Sequence, residues 1–106
     1  MRLPVAVEEG EANIEIVDLT DNTIEINLTN NVPVRVVSFI INGMEITKVH
    51  NTTRTERFYV KYNKKNDKVT ILSTSKEVIS PGTGSIAEII SDKKSSASLA
   101  DIKILK

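Results

Sequence analysis

The sequence predicts an all-β sandwich of about eight or nine strands in two packed antiparallel sheets, and three observations carry that expectation. Ile and Val dominate the apolar residues while Leu, Ala and Met are few, and β-branched side chains favour the pleated strand over the helix. Apolar and polar residues alternate with period two through most of the chain, the mark of half-buried strands. Turn residues recur at spacings of about ten positions, and no capped 3.6-residue stripe long enough for a helix interrupts them.

Taken in order, Ile14 and Ile16 alternate with Glu15, and Ile24, Ile26 and Leu28 alternate with Glu25 and Asn27. These runs predict strands over 12–19 and 23–29, joined at Asp21-Asn22, whose short side chains satisfy their own backbone. After Asn30-Asn31, the segment 32–41 is nearly continuous in apolar residues, which predicts a strand covered on both faces. Pro33 stands at its entrance, where a missing N–H costs least. Asn42-Gly43 is a turn dipeptide that permits positive φ, so 44–49 is expected as a separate short strand, followed by a polar loop over 51–56. Phe58, Val60 and Tyr62 alternate through 57–62, Asn63 to Asp67 forms a compact turn, and 68–74 returns as the clearest hairpin. Ser80-Pro81-Gly82-Thr83-Gly84 predicts a tight turn, 85–90 a strand, 91–96 a polar loop and 97–105 the closing strand.

The bulk numbers narrow the function. At 106 residues the chain makes one domain over 1–106, large enough to bury a core without disulfides or metal. Basic and acidic residues balance at 14 each, so the surplus of positive charge that nucleic acid requires is absent. Lys61, Lys64, Lys65 and Lys68, interrupted by Asp67, are expected as a solvated hairpin tip. The chain has no Cys, which excludes disulfides, thiolate metal sites and a cysteine nucleophile. No apolar run reaches the roughly 20 residues that cross a bilayer, so direct membrane insertion is not expected. Met1 to Val7 is too short for a signal peptide.

Candidates for chemistry each have a plainer reading. His50 is the only histidine; alone it makes neither a metal cluster nor a specific triad. Asp18, Asp21 and Asn22 lack the ligand ladder of a calcium loop and are expected to make a turn. Gly82-Thr83-Gly84 has no following helix or Lys and is no phosphate cradle. With two Phe, two Tyr and no Trp, and Phe39 and Phe58 pointing inward by alternation, a sugar-stacking platform is not expected. Asn27-Leu28-Thr29 and Asn51-Thr52-Thr53 fit the N-glycosylation triplet, a weak pointer to export. No catalytic residue, metal site or cofactor is expected, and the chain is not read as an enzyme.

Alternation does predict one surface. If Val37, Phe39 and Ile41 face the core, Val36, Ser38 and Ile40 face the other way. Likewise Val69 and Ile71 inward leave Thr70 and Leu72 outward, and Ala87 and Ile89 inward leave Ile90 outward. Val36, Ile40, Tyr59, Leu72 and Ile90 would then form an apolar patch of the kind that marks an interface, with Ser38 among them and Lys61, Thr70 and Glu88 as a polar rim.

The order of segments resembles that of cohesin domains. The run Thr23-Ile24-Glu25-Ile26-Asn27-Leu28-Thr29-Asn30 followed by Val34 to Ile41 is similar to the family's opening strands. Lys68-Val69-Thr70-Ile71-Leu72 and Ile79-Ser80-Pro81-Gly82-Thr83-Gly84-Ser85-Ile86 resemble its later strand and Gly-containing turn, and Ser98 to Ile104 its closing strand. The family's Gly-Phe-Gln position is Val36-Val37-Ser38 here. The resemblance covers roughly residues 11 to 105. It implies an Ig-like jelly-roll sandwich of a secreted or cell-surface protein that binds dockerin-type modules through one sheet face. Carried over, 34–41, 57–62, 68–74 and 85–90 would supply that face. The resulting expectation is a non-catalytic protein-recognition module, extracellular or at the cell surface, whose partner is a dockerin-like module or another surface protein. The first alternative is a structural spacer or self-assembling subunit of a surface fibre or layer. A carbohydrate-binding module is the second.

Overall fold

The computed structural model describes residues 12–20 and 22–106, with the backbone alone for 92–96. Six strands follow in chain order: β1 (Ala12–Thr20), β2 (Thr23–Asn30), β3 (Val36–Asn51), β4 (Tyr59–Asn63), β5 (Lys68–Leu72) and β6 (Gly82–Leu105). A 3-10 turn, Thr53–Thr55, lies between β3 and β4. Pairing is antiparallel throughout, in the order β1-β2-β6-β3-β5-β4.

That order folds over on itself into two layers. The first half of β6 pairs with β2 on one side and with the end of β3 on the other, as in Glu25↔Glu88 and His50↔Glu88. The second half of β6 pairs with the start of β3, which pairs with β5 and through it with β4. One layer is therefore β1, β2, the start of β6 and the end of β3; the other is the end of β6, the start of β3, β5 and β4. Ile24, Ile26, Leu28 and Ile89 from the first layer and Val37, Phe39, Ile41, Val69 and Ile71 from the second are all fully buried. They form the inner faces of one sandwich core.

Among the described residues six strands replace the eight or nine expected, because two expected breaks are not breaks. Asn42-Gly43 does not close a hairpin. Gly43 takes φ 84 inside β3, where register shifts between Asn42 and Met44, Glu45 and Ile46, and Ile46 and Lys48 bend the strand. Such bulges raise the local twist without ending the pairing, so β3 passes from one layer to the other as one strand. The segment 91–96 is likewise extended rather than a loop, with Glu45↔Lys93 and Met44↔Lys94 pairing across. The expected loop over 51–56 holds the 3-10 turn, and the expected turn at 80–84 gives way at Gly82 to β6. The β4–β5 hairpin stands as expected, closed by Asp67 at φ 58, with its Tyr62 hydroxyl donating to Asp67 Oδ1 at 2.8 Å.

A polar network ties the turn before β6 to the rest. The Arg54 guanidinium donates to Leu28 O (2.6 Å), Asn30 Oδ1 (2.8 Å), Ser80 O (2.9 Å) and Gly84 O (3.1 Å). Buried Asn30 in turn donates to the carbonyls of Val32, Ile79 and Ser80. A side chain at Gly84 would place its Cβ 3.3 Å from Arg54 Cδ, so a glycine there leaves room for the arginine. Burial lowers the Arg54 pKa below its ordinary value.

Candidate functional site: the outer face of the β6-β3-β5-β4 layer

The registers of this layer set side chains in three rows across all four strands. Leu105, Val36, Leu72 and Tyr59 are successive partners in the first row. Lys103, Ser38, Thr70 and Lys61 form the second, and Ala100, Ile40, Lys68 and Asn63 the third. Directly opposed residues have Cβ atoms about 5 Å apart, so each row is continuous.

The first row is apolar and open to solvent. Leu105 is 58% and Tyr59 55% exposed, while Val36 and Leu72 between them are half-buried. The second row alternates in chemistry: Ser38 is buried beneath its neighbours at 6% exposure, Thr70 is half-buried, and Lys61 and Lys103 stand exposed at the two ends. Between Ser38 and Ile40 the β3–β6 register shifts, so Asp101 and Ile102 together oppose Phe39. Asp101 takes φ 52 there, and Ile102 is 45% exposed. The bulge roughens one edge of an otherwise flat surface.

Of the residues singled out by alternation, Val36, Ser38, Ile40, Tyr59, Lys61, Thr70 and Leu72 fall together on this face. Glu88 and Ile90 do not. They lie on the outer face of the other layer, opposite Glu25 and Thr23 on one side and His50 and Lys48 on the other. Period two states whether a side chain faces the core, and both of these face away from it; it is silent on which layer carries them. The same rule missed Lys103 and Leu105, which share the face because Ile104 packs inward. Counting back from Ile104 in the closing strand would have found both.

Other candidates are placed as follows. His50 is exposed on β3. Phe39 is fully buried and Phe58 8% exposed, leaving Tyr59 as the outward aromatic. Asn22 exchanges hydrogen bonds with Thr20 and Thr23 in a turn, while Asp21 lies outside the described residues. Asn51 uses its amide to donate to Thr55 O (2.6 Å) and Phe58 O (3.1 Å), holding the 3-10 turn. Gly82-Thr83-Gly84 pairs as strand with β2. Among the described residues no group of three His, Asp or Glu is placed to hold a metal ion, and no helix is long and apolar enough to cross a membrane. Surface depressions of about 160 and 180 Å³ fall short of the roughly 300 Å³ at which small-molecule pockets begin. What this layer presents to solvent is an apolar row beside exposed lysines.

No family model matches the chain, and no curated relative does. Its fold is similar to that of a non-cellulosomal cohesin from the hyperthermophilic archaeon Archaeoglobus fulgidus, with a TM-score of 0.62 at 17% identity, covering 89% of this chain and 77% of that one. The chain is a cohesin-like domain in fold, an all-β sandwich as the alternation predicted.

Proposed function

We propose that the chain is a non-catalytic recognition module that docks a protein partner on the outer face of the β6-β3-β5-β4 layer. The observation that carries this reading is the row Leu105–Val36–Leu72–Tyr59, an apolar band crossing four strands with its two ends more than half exposed. Exposed apolar bands rimmed by polar residues are favoured interface sites. Here Lys61, Lys103 and Thr70 give the rim, and Tyr59 is the aromatic anchor that interface cores favour. The cohesin likeness suggests a dockerin-type module as the partner class, and an extracellular or surface setting for the encounter.

The test is a pull-down from secreted and envelope proteins of the source organism. Wild-type domain is compared with a Val36→Lys/Ile40→Lys/Leu72→Ser variant whose fold is verified by circular dichroism. A partner held by the wild type and lost by the folded variant supports the reading. Equal capture by both proteins removes this face from the binding surface.

A further inference from the structure

The two outer faces of the sandwich carry opposite charge. On the β6-β3-β5-β4 layer, Lys61, Lys68 and Lys103 stand in the rows described above, and Lys64 and Lys65 extend them at the hairpin tip. The strands β4 and β5 carry no carboxylate, Asp67 between them is engaged by Tyr62, and exposed Asp101 at the β6 bulge is the counter-charge at the edge of this layer. On the opposite layer, Glu15, Glu25 and Glu88 face outward with Glu25 and Glu88 directly paired across β2 and β6, and against these three carboxylates stands exposed Lys48 of β3, which leaves that face net acidic. Like charges opposed across a ladder are unfavourable. None of these three carboxylates, nor Lys61, Lys68 or Lys103, has an ion-pair partner among the described residues. A chain whose net charge is zero thus separates its charge by face.

We propose that copies of this domain stack head to tail, the Glu15/Glu25/Glu88 face of one seated on the Lys61/Lys68/Lys103 face of the next. This rests on the reading of the β6-β3-β5-β4 layer as a docking surface and names a second copy as an occupant. Charge complementarity picks the arrangement. A two-fold pairing of the basic face with itself would set lysine on lysine, whereas a heterologous contact sets lysine on glutamate. The acidic span fits within the basic one: the carboxylates spread over β1, β2 and β6, about 10 Å, and the lysines over four strands, about 14 Å. Val17 and Ile90, half-buried on the acidic face, meet the apolar row of the neighbour. Such a contact does not close on itself, so it extends with concentration rather than stopping at a dimer. One sheet face on another lies near the lower limit of about 1,000 Å², the size class of weak, transient contacts, so the expected Kd is set on the order of 100 µM at low salt.

Sedimentation velocity tests it. The wild-type weight-average sedimentation coefficient rises with concentration through that range in low salt and returns to the monomer value as salt is raised. Lys61→Glu/Lys68→Glu/Lys103→Glu reverses the three lysines of one face, and Glu15→Lys/Glu25→Lys/Glu88→Lys reverses the three glutamates of the other; each variant alone stays monomeric, with association at least tenfold weaker. An equimolar mixture of the two associates again, since each restores the charge the other lost. A wild type monomeric at about tenfold above the expected Kd, or variants that associate as the wild type does, overturns the proposal. The pull-down separates this from the recognition reading. A monomeric domain that still holds a protein lost by the Val36/Ile40/Leu72 variant overturns stacking and leaves the docking face standing.

Discussion

Removing the Arg54 guanidinium should unfold the turn before β6 from the β2 edge, and its cost follows from the four carbonyl and amide oxygens it serves. Ser80 is exposed and Gly84 half-exposed, so water replaces those two bonds at little net cost. Leu28 is fully buried and Asn30 is 4% exposed. In Arg54→Ala their oxygens lose donors at 2.6 and 2.8 Å. A hydrogen bond to a charged group contributes about 1.5–3 kcal/mol, and an orphaned buried acceptor costs about 1–3 kcal/mol. Burial also strips water from the arginine itself, an expense the variant recovers, which places the net loss at the low end, about 2–3 kcal/mol. With an unfolding entropy of about 2.1 cal/mol/K per residue over 106 residues, that corresponds to a fall in Tm of about 9–13 °C. Thermal and urea unfolding followed by circular dichroism measure it, with an unchanged m-value showing that the unfolded reference is the same. Arg54→Lys should recover less than half, since one ammonium cannot fork to both oxygens. A fall of under about 3 °C would refute the reasoning, because it would mean that water satisfies the buried oxygens as well as the guanidinium does.

Three further outcomes follow from the same structure. Phe39→Ala empties the centre of the core, where Phe39 is fully buried, and should cost about 3–5 kcal/mol in denaturant unfolding; a loss near 1 kcal/mol would mean the layers collapse to fill the space. Gly43→Ala forces a side chain onto φ 84 and should cost about 1 kcal/mol, whereas an unchanged midpoint would show that β3 bends without positive φ. The Tyr62 hydroxyl is pushed up to about 12 by burial, and then by Asp67, from 10.0. Its pKa is higher in the folded state, so its contribution is complete below pH about 10 and is lost as pH rises towards about 12. In a Tyr59→Phe variant, where Tyr62 is the sole tyrosine, phenolate absorbance should rise with a midpoint near about 12; a midpoint at the ordinary value refutes the assignment.

Alternation made the strand faces legible residue by residue. Val37, Phe39, Ile41, Val69 and Ile71 were expected inward and are buried, while Tyr59 and Lys61 were expected outward and are exposed. Chain breaks were legible only where a turn closes locally. Asn63 to Asp67 closes its hairpin with side-chain hydrogen bonds at Asn63, Asn66 and Asp67, all residues with known turn chemistry. Asn42-Gly43 carries the same composition, yet β3 runs through it. Whether positive φ ends a strand or bends it depends on whether a distant strand continues alongside, and β6 lies more than forty residues away in sequence. The Arg54 network was illegible for a related reason: an arginine in a polar segment looks like solvated charge until Asn30 and Ser80 are brought to it by the fold.

Glu88 and Ile90 lie on the other layer because β3 and β6 each run through both layers. Both outer faces are built on the same two strands: Val36, Ser38 and Ile40 at one end of β3 and Lys48 and His50 at the other, Lys103 and Leu105 at one end of β6 and Glu88 and Ile90 at the other. The angle between the basic and acidic faces is therefore set by the bulges between Asn42 and Lys48, not by the loops that join separate strands in a simpler sandwich. Changes confined to the loops should leave that angle alone. A change at Gly43 reaches both faces, because it turns one end of the ribbon against the other.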